Sequence, residues 1–297
     1  MERRTVLYLA LAVTILIWGN SFVLVKLAVD DGASPVMIAM ARFIIASSIF
    51  GGYILWKRPS WPDKSDLKVF VFLAFIGIGV YYIFQYYGVK FAGPAISAIL
   101  VTLLCPVIIF LLSRVRLGER ISSQQKVGLG VAAAGSFLVI TDGSLSIISN
   151  QTEILGGLFG VVCAVFWAVY TVEGKRIVTK YEPFTSTAFL ALMGTVMLVP
   201  FAITESQLSG PTEFPLTYFV AAAYLGVLCT VIGYVMWFKA LTGLSASTTG
   251  ASLYFEPVVT VIFAYIILGQ GIGWVAAVGG VLVLLGVVSI TRGWSAS

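Results

Sequence analysis

Three stretches of this chain hold almost no charge, and that limits its fold more than any other feature. Thr5 to Val25 contains no Asp, Glu, Lys or Arg, Pro35 to Trp56 contains only Arg42, and Ala246 to Leu268 contains only Glu256. About 20 apolar residues in a helix cross the hydrocarbon core of a bilayer. In lipid a helix satisfies its own backbone hydrogen bonds, which a lone extended segment cannot do. Apolar stretches of that kind recur near 5–26, 35–56, 67–88, 94–113, 124–141, 155–174, 184–203, 215–238, 246–268 and 272–291. The expected fold is therefore all-α and integral to a membrane, with ten transmembrane helices. Composition agrees, since 59% of the 297 residues are hydrophobic, 10% are charged and the mean hydropathy is +1.01. A soluble domain carries roughly 25% charged residues, so the apolar surplus needs lipid to face.

The charges that remain orient the chain. The net charge of +5 is not a nucleic-acid footprint, because the basic residues follow the loops. If Arg3 and Arg4 are cytoplasmic, alternate loops collect Lys57, Arg58, Lys64 and Lys68; Arg114, Arg116, Arg120 and Lys126; Lys175, Arg176 and Lys180; and Lys239 and Arg292. Together with the N-terminal pair these are 15 of the 18 Lys and Arg, leaving Lys26, Arg42 and Lys90. Cytoplasmic loops of membrane proteins carry this excess. Both termini are expected to be cytoplasmic, with the chain in a cell membrane and the lipid bilayer as its main partner. The first apolar stretch is too long for a signal peptide and is followed by nine others, so it is read as a retained helix.

Several chemistries are excluded. The chain has no histidine, which removes the commonest general base and metal ligand together. No phosphate-binding loop, zinc spacing or nucleophile–base set is present, so no cofactor, metal or enzyme activity is expected. Cys105, Cys163 and Cys229 each lie in an apolar run and read as small buried hydrophobes. Asn150-Gln151-Thr152 forms a glycosylation sequon that reads as a chance match, and Gly156 and Gly160 read as a helix-packing face.

A weak repeat with a period near 150 residues divides the chain into 1–148 and 149–297. Trp18 and Lys26 recur as Trp167 and Lys175, Pro35 as Pro183, and Pro106 as Pro257. Leu117-Gly118 recurs as Leu268-Gly269, Gly128 as Gly279, and Gly135 as Gly286. An ordered series of this kind points to duplication. Five helices per copy is an odd number, so the second copy enters the membrane from the opposite side. The hairpin at Leu117-Gly118 is basic while its counterpart between Gly269 and Gly273 is uncharged. Inverted repeats place one site between two gates in many secondary transporters.

The same residues resemble a known family. Trp18-Gly19-Asn20-Ser21-Phe22, Arg42-Phe43, Leu117-Gly118-Glu119-Arg120 and Glu256-Pro257-Val258 are similar to the signatures of EamA-type proteins in the drug/metabolite transporter superfamily. Where Gln270 stands, that family usually has Glu. The resemblance covers nearly the whole chain. It implies ten helices, a central cavity lined by both halves with helices five and ten as outer supports, and export of a small metabolite.

Ionisable groups deep in a membrane are costly and are the first site candidates. Glu256 sits about ten residues into the ninth span and reads either as a proton-exchanging or amine-binding group, or as a structural carboxylate. In the structural reading it pairs with Arg42 or serves backbone groups freed by Pro257. Thr249, Ser252, Glu256 and Thr260 share one helical face, which lines a cavity or packs against a neighbouring helix. Glu119 is expected to pair with Arg114, Arg116 or Arg120. Tyr82, Gln85 and Tyr86 share a face of the third span, and Trp167 and Tyr170 one of the sixth. These aromatic and amide groups suit a ligand cavity, or form an interfacial belt. The expected substrate-binding residues are Trp18, Asn20, Tyr82, Gln85, Tyr86, Trp167, Tyr170, Trp237, Tyr254 and Glu256. Arg42 and Glu256 form a coupling or structural charge pair, and Pro106 and Pro257 kink their helices. The function expected is alternating-access transport of a small molecule, best matched by an amino acid or related compound. Protons are the candidate coupling ion, and the protein is a monomer or homodimer. The alternative is a non-transporting membrane receptor or structural subunit.

Overall fold

A computed structural model describes residues 3–143, 151–209, 214–268, 271 and 273–295. Among them there is no strand, and the chain runs through thirteen α-helices joined by two π-helical stretches and one 3-10 turn. Among the described residues, seven helical runs are long and apolar enough to cross a membrane. Gln270 and Asn150 lie outside the described residues.

The first apolar stretch is two helices, α1 (Arg3–Trp18) and α2 (Ser21–Asp30), separated by a turn at Gly19-Asn20. Gly19 is required there. A Cβ on it would meet the Val259 side chain at 2.7 Å and the Glu256 carbonyl at 3.1 Å. Helix α3 (Pro35–Lys57) starts with proline in its first position, where the missing N–H is harmless. Ser34 caps it by accepting from the Met37 amide. Helix α8 (Pro183–Ser209) begins alike, with Glu182 accepting from the Phe184 and Thr185 amides.

Helix α4 (Lys64–Ala74) passes through a π-helical stretch (Phe75–Gly79) into α5 (Tyr81–Leu117). The second region repeats this order, with α9 (Leu216–Ala223), a π-helical stretch (Tyr224–Tyr234) and α10 (Val235–Leu241). π-Turns leave carbonyls in unusual register and recur at functional sites.

The 37-residue α5 is not straight. Near its start the Cys163 thiol lies 3.6 Å from the Tyr81 carbonyl, and at Ala92 it touches Gly156. Along α7 (Gln151–Val178) that progress runs backwards, yet Arg116 binds Glu173 near the far end of α7. Tyr81 and Thr102 also wall one cavity, although a straight helix would set them roughly 30 Å apart. The two ends of α5 thus run along α7 in opposite directions.

The α6 helix (Ser123–Thr141) opens with a capping box in which Ser122 and Gln125 serve each other's backbone. Its partner is α13 (Trp274–Ser295). Between them, a Cβ on Gly128 would meet the Gly286 carbonyl at 2.7 Å, and one on Gly135 the Gly279 carbonyl at 2.6 Å. The remaining stretch is α11 (Ala246–Ala251), a 3-10 turn (Ser252–Tyr254) and α12 (Phe255–Leu268).

Candidate functional site

Helix breaks and π-turns meet at the centre of the molecule. The Trp18 indole donates to the Cys229 carbonyl at 3.0 Å, and Thr14 donates to that of Gly233 at 3.3 Å. Both acceptors lie in the Tyr224–Tyr234 π-stretch, and within it Thr230 donates to Leu225, five residues back. Thr260 donates to the Gly19 carbonyl that the α1–α2 turn frees. The irregular backbone is thus served by side chains, as membrane depth demands.

Trp18 and Trp167 then meet edge to face at 5.2 Å, and Tyr234 packs on both at 5.8 and 5.3 Å. The Tyr82 hydroxyl shares a 2.5 Å hydrogen bond with that of Tyr234. Around these rings lies a cavity with about 490 Å³ of empty volume, lined among others by Trp18, Arg42, Tyr82, Gln85, Trp167 and Glu256. Only about 40 Å³ of it can hold the centre of a water molecule. That is room for a few waters, so a larger ligand enters by displacing side chains.

Six of the residues named from sequence therefore line one space, contributed by α1, α3, α5, α7 and α12. The others stand behind it. The Tyr86 hydroxyl accepts from the Arg42 guanidinium at 3.1 Å. Tyr170 stacks between Trp167 and Phe238, at 5.2 and 5.4 Å. Trp237 packs on Trp18 at 5.3 Å, Tyr254 donates to the Leu103 carbonyl at 3.3 Å, and Asn20 is buried beside the α1–α2 turn. Pro257 is the third residue of α12, in its first turn, whereas Pro106 lies within α5. Sequence reasoning passed over Tyr81, Thr102 and Leu253, which line the cavity, and Tyr234, which supports it. Their spacing from residues already named was the available signal: Tyr81 adjoins Tyr82, and Tyr234 precedes Trp237 by three.

The two buried charges share the cavity without touching. Arg42 is 3% exposed and Glu256 8%. No ion pair joins them among the described residues. Arg42 instead donates through Nε to Thr230 at 2.7 Å and lies 4.1 Å over the Tyr82 ring. Gly226 permits this approach, since a Cβ there would meet the Arg42 carbonyl at 2.8 Å.

Glu119 corrects an expectation. It binds none of the arginines near it in sequence. It accepts from the Ala246 and Ser247 amides at 2.7 and 3.2 Å, accepts from the Ser247 hydroxyl at 2.6 Å, and faces Lys175 at 3.6 Å. The start of α11 offers unpaired N–H groups and a positive dipole end, which outweigh flexible surface arginines. Tyr86 likewise does not join an interfacial belt, being 1% exposed.

The model of the EamA-like transporter family matches residues 5–141 and 154–292. The chain belongs to that family. This EamA-like protein is 33% identical to an uncharacterised transporter of Archaeoglobus fulgidus, over 96% of each chain. It is 28% identical to a probable terminal-alkyne amino-acid exporter of Streptantibioticus cattleyicolor, over 95% of this chain and 92% of the other. A probable amino-acid metabolite efflux pump of Escherichia coli is 23% identical, over 94% and 92%. A crystal structure with 21% identity shares the fold at a TM-score of 0.76, with 98% of both chains covered. The EamA-like chain is a multi-pass membrane protein and a transporter, not an enzyme.

Proposed function

We propose that this transporter exports a small metabolite, an amino acid or related compound, by alternating access between two inverted five-helix halves, 1–148 and 149–297. The observation that carries the reading is the cavity, walled by Trp18, Arg42 and Tyr82 from one half and Trp167 and Glu256 from the other. A site walled by both halves changes its exposure when they rock against each other. The names of the two exporters among the relatives support the substrate class. Ten helices follow if the reversed end of α5, α6, and α11 with α12 are added to the seven long apolar runs. The reciprocal glycine contacts of α6 and α13 are those a two-fold relation between halves would produce.

The loop charges favour both termini on the cytoplasmic face of a cell membrane. Single cysteines at Ser65 and Gln207, in a background without native cysteines, are then expected to label from opposite sides. Labelling of both by an impermeant reagent from outside would refute that topology. For transport, proteoliposomes loaded with unlabelled amino acids are expected to take up radiolabelled ones by counterflow. Trp167→Ala and Gln85→Ala should each cut that rate at least fivefold while the purified protein stays monodisperse. Normal counterflow in both variants would move the site elsewhere. Glu256→Gln separates coupling from binding: loss of proton-driven accumulation with counterflow retained assigns Glu256 to the proton.

A further inference from the structure

Two opposite charges buried in one small cavity without contact are a costly arrangement. An ion held away from water in low-dielectric surroundings needs an opposite charge or a set of hydrogen bonds. Arg42 has hydrogen-bond partners, but Thr230 and Tyr86 are neutral, and so is the Tyr82 ring beneath it. Of its five N–H donors, one on Nε and one on Nη1 are used, and Nη2 has no acceptor among the described residues. The Glu256 carboxylate has no side-chain or backbone donor among the described residues, although the residue is more than nine-tenths buried and lines the cavity. Each of these two groups thus keeps hydrogen-bonding capacity unfilled in a residue that lines the cavity.

An anion entering this space would answer Arg42 and leave Glu256 facing it; a cation would do the reverse. A ligand carrying both signs answers both. We propose that the cavity is a dipolar clamp for a zwitterion, with the anionic group of the ligand on Arg42 and its ammonium on Glu256. A guanidinium with free N–H groups suits a carboxylate. Trp18 and Trp167, which line the same cavity as Glu256, supply aromatic rings of the kind that suit an ammonium and the apolar body attached to it. The inference rests on the transporter reading for its biological meaning, but it concerns binding, which is measured separately.

The test uses the purified full chain in detergent and reads binding by quenching of tryptophan fluorescence. Four skeletons are compared: glycine, alanine, leucine and phenylalanine. Each is offered as the amino acid, as the acid lacking the amine, and as the amine lacking the carboxylate. At least one amino acid is expected to bind at least tenfold more tightly than both of its single-charge analogues. Glu256→Gln should remove the preference over the acid, and Arg42→Gln the preference over the amine, each at least tenfold. Equal binding of an acid or an amine by the unaltered protein overturns the clamp, as does the absence of binding by all twelve compounds. Because the unaltered protein decides this alone, a variant that fails to fold leaves the test intact. Counterflow distinguishes the two readings. Vesicles that move acids or amines but not amino acids sink the clamp and keep the transporter, and zwitterion binding without counterflow does the opposite.

Discussion

At the α6–α13 crossing, the two halves of the chain look alike. Gly128 meets Gly286 and Gly135 meets Gly279, and in each pair the close contact is returned, at 2.6 to 2.7 Å from a would-be Cβ to the facing carbonyl. At the cavity they differ. Under the proposed repeat register, with Pro35 matched to Pro183 and Pro106 to Pro257, the counterpart of Arg42 is Leu190 and that of Glu256 is Cys105, both fully buried. The frame is shared and the chemistry is divided, one charge from each half at positions that do not correspond. A frame needs matching surfaces to rock about, whereas a ligand with two different ends needs two different contacts. Symmetry is kept where it serves movement and lost where it would impair recognition.

The largest expected effect tests the shared frame. Gly135→Leu forces a side chain into the Gly279 carbonyl and the Val283 backbone, and rigid helix backbones cannot yield as a flexible side chain can. Overpacking costs about 1–3 kcal/mol and at times more, so folded protein in detergent should fall below half of the normal yield. Gly279→Leu should do the same. Gly130→Leu, with nothing within 4 Å of its Cβ, should leave yield and melting temperature unchanged. A tolerant Gly279→Leu beside an intolerant Gly135→Leu would break the equivalence of the halves.

Glu119→Ala comes next. It strips an acceptor from two amides and a hydroxyl at the start of α11, and leaves Lys175 with the Leu244 carbonyl. Losing a capping acceptor and stranding donors costs about 1–3 kcal/mol. A drop in melting temperature, partly restored in Glu119→Gln, is expected. No change in either variant would show that this end is held by packing alone.

How far these features can be read from sequence depends on their range. Long apolar runs announce the spans, and Pro35 and Pro183 mark helix starts because proline is at home in the first helical position. Trp18, Tyr82, Gln85, Trp167, Arg42 and Glu256 are conspicuous because such groups are out of place in lipid, and all six line the cavity. The break at Gly19-Asn20 is hidden, since one glycine within an apolar run is common and the reason for it, Val259, lies far along the chain. Glu119 is hidden for the same reason, with partners 127 and 128 residues away. The π-stretches mislead more subtly. An extra residue per turn rotates every side chain beyond it, so regular helical spacing carried through Tyr224–Tyr234 gives no sign that Tyr234 reaches Tyr82. Trp237, beyond that stretch, packs on Trp18 and does not line the cavity.

A milder effect should come from that tyrosine pair, which joins the halves at the cavity wall. Tyr82→Phe and Tyr234→Phe each remove one member of a 2.5 Å hydrogen bond. Each is expected to cost about 0.5–1.5 kcal/mol. If the bond is what both lose, the double variant should cost little more than either single one. Additive losses would show that each hydroxyl has a separate task, and the junction would then not be a single contact.

The smallest effect is expected at the most exposed equivalent pair, Lys26 and Lys175. Lys175 stands near the end of α7, which carries Trp167, and Lys26 stands in α2, the helix that follows the one carrying Trp18. Lys175 is one-fifth exposed and is held by the Leu244 carbonyl and by Glu119, so it ties α7 to the loop after α5 and to the loop before α11. Lys26 is 37% exposed and pairs with Asp30, four residues on in its own helix. An exposed pair of that spacing is worth about 0.3–0.5 kcal/mol and fades with salt, and it ties α2 to nothing else. Lys26→Met should therefore leave melting temperature within error, and added salt should not widen the difference. Lys175→Met should lower it measurably, because it leaves the Glu119 carboxylate without its cation. Equal losses at both positions would mean that the two ends are closed by comparable ties.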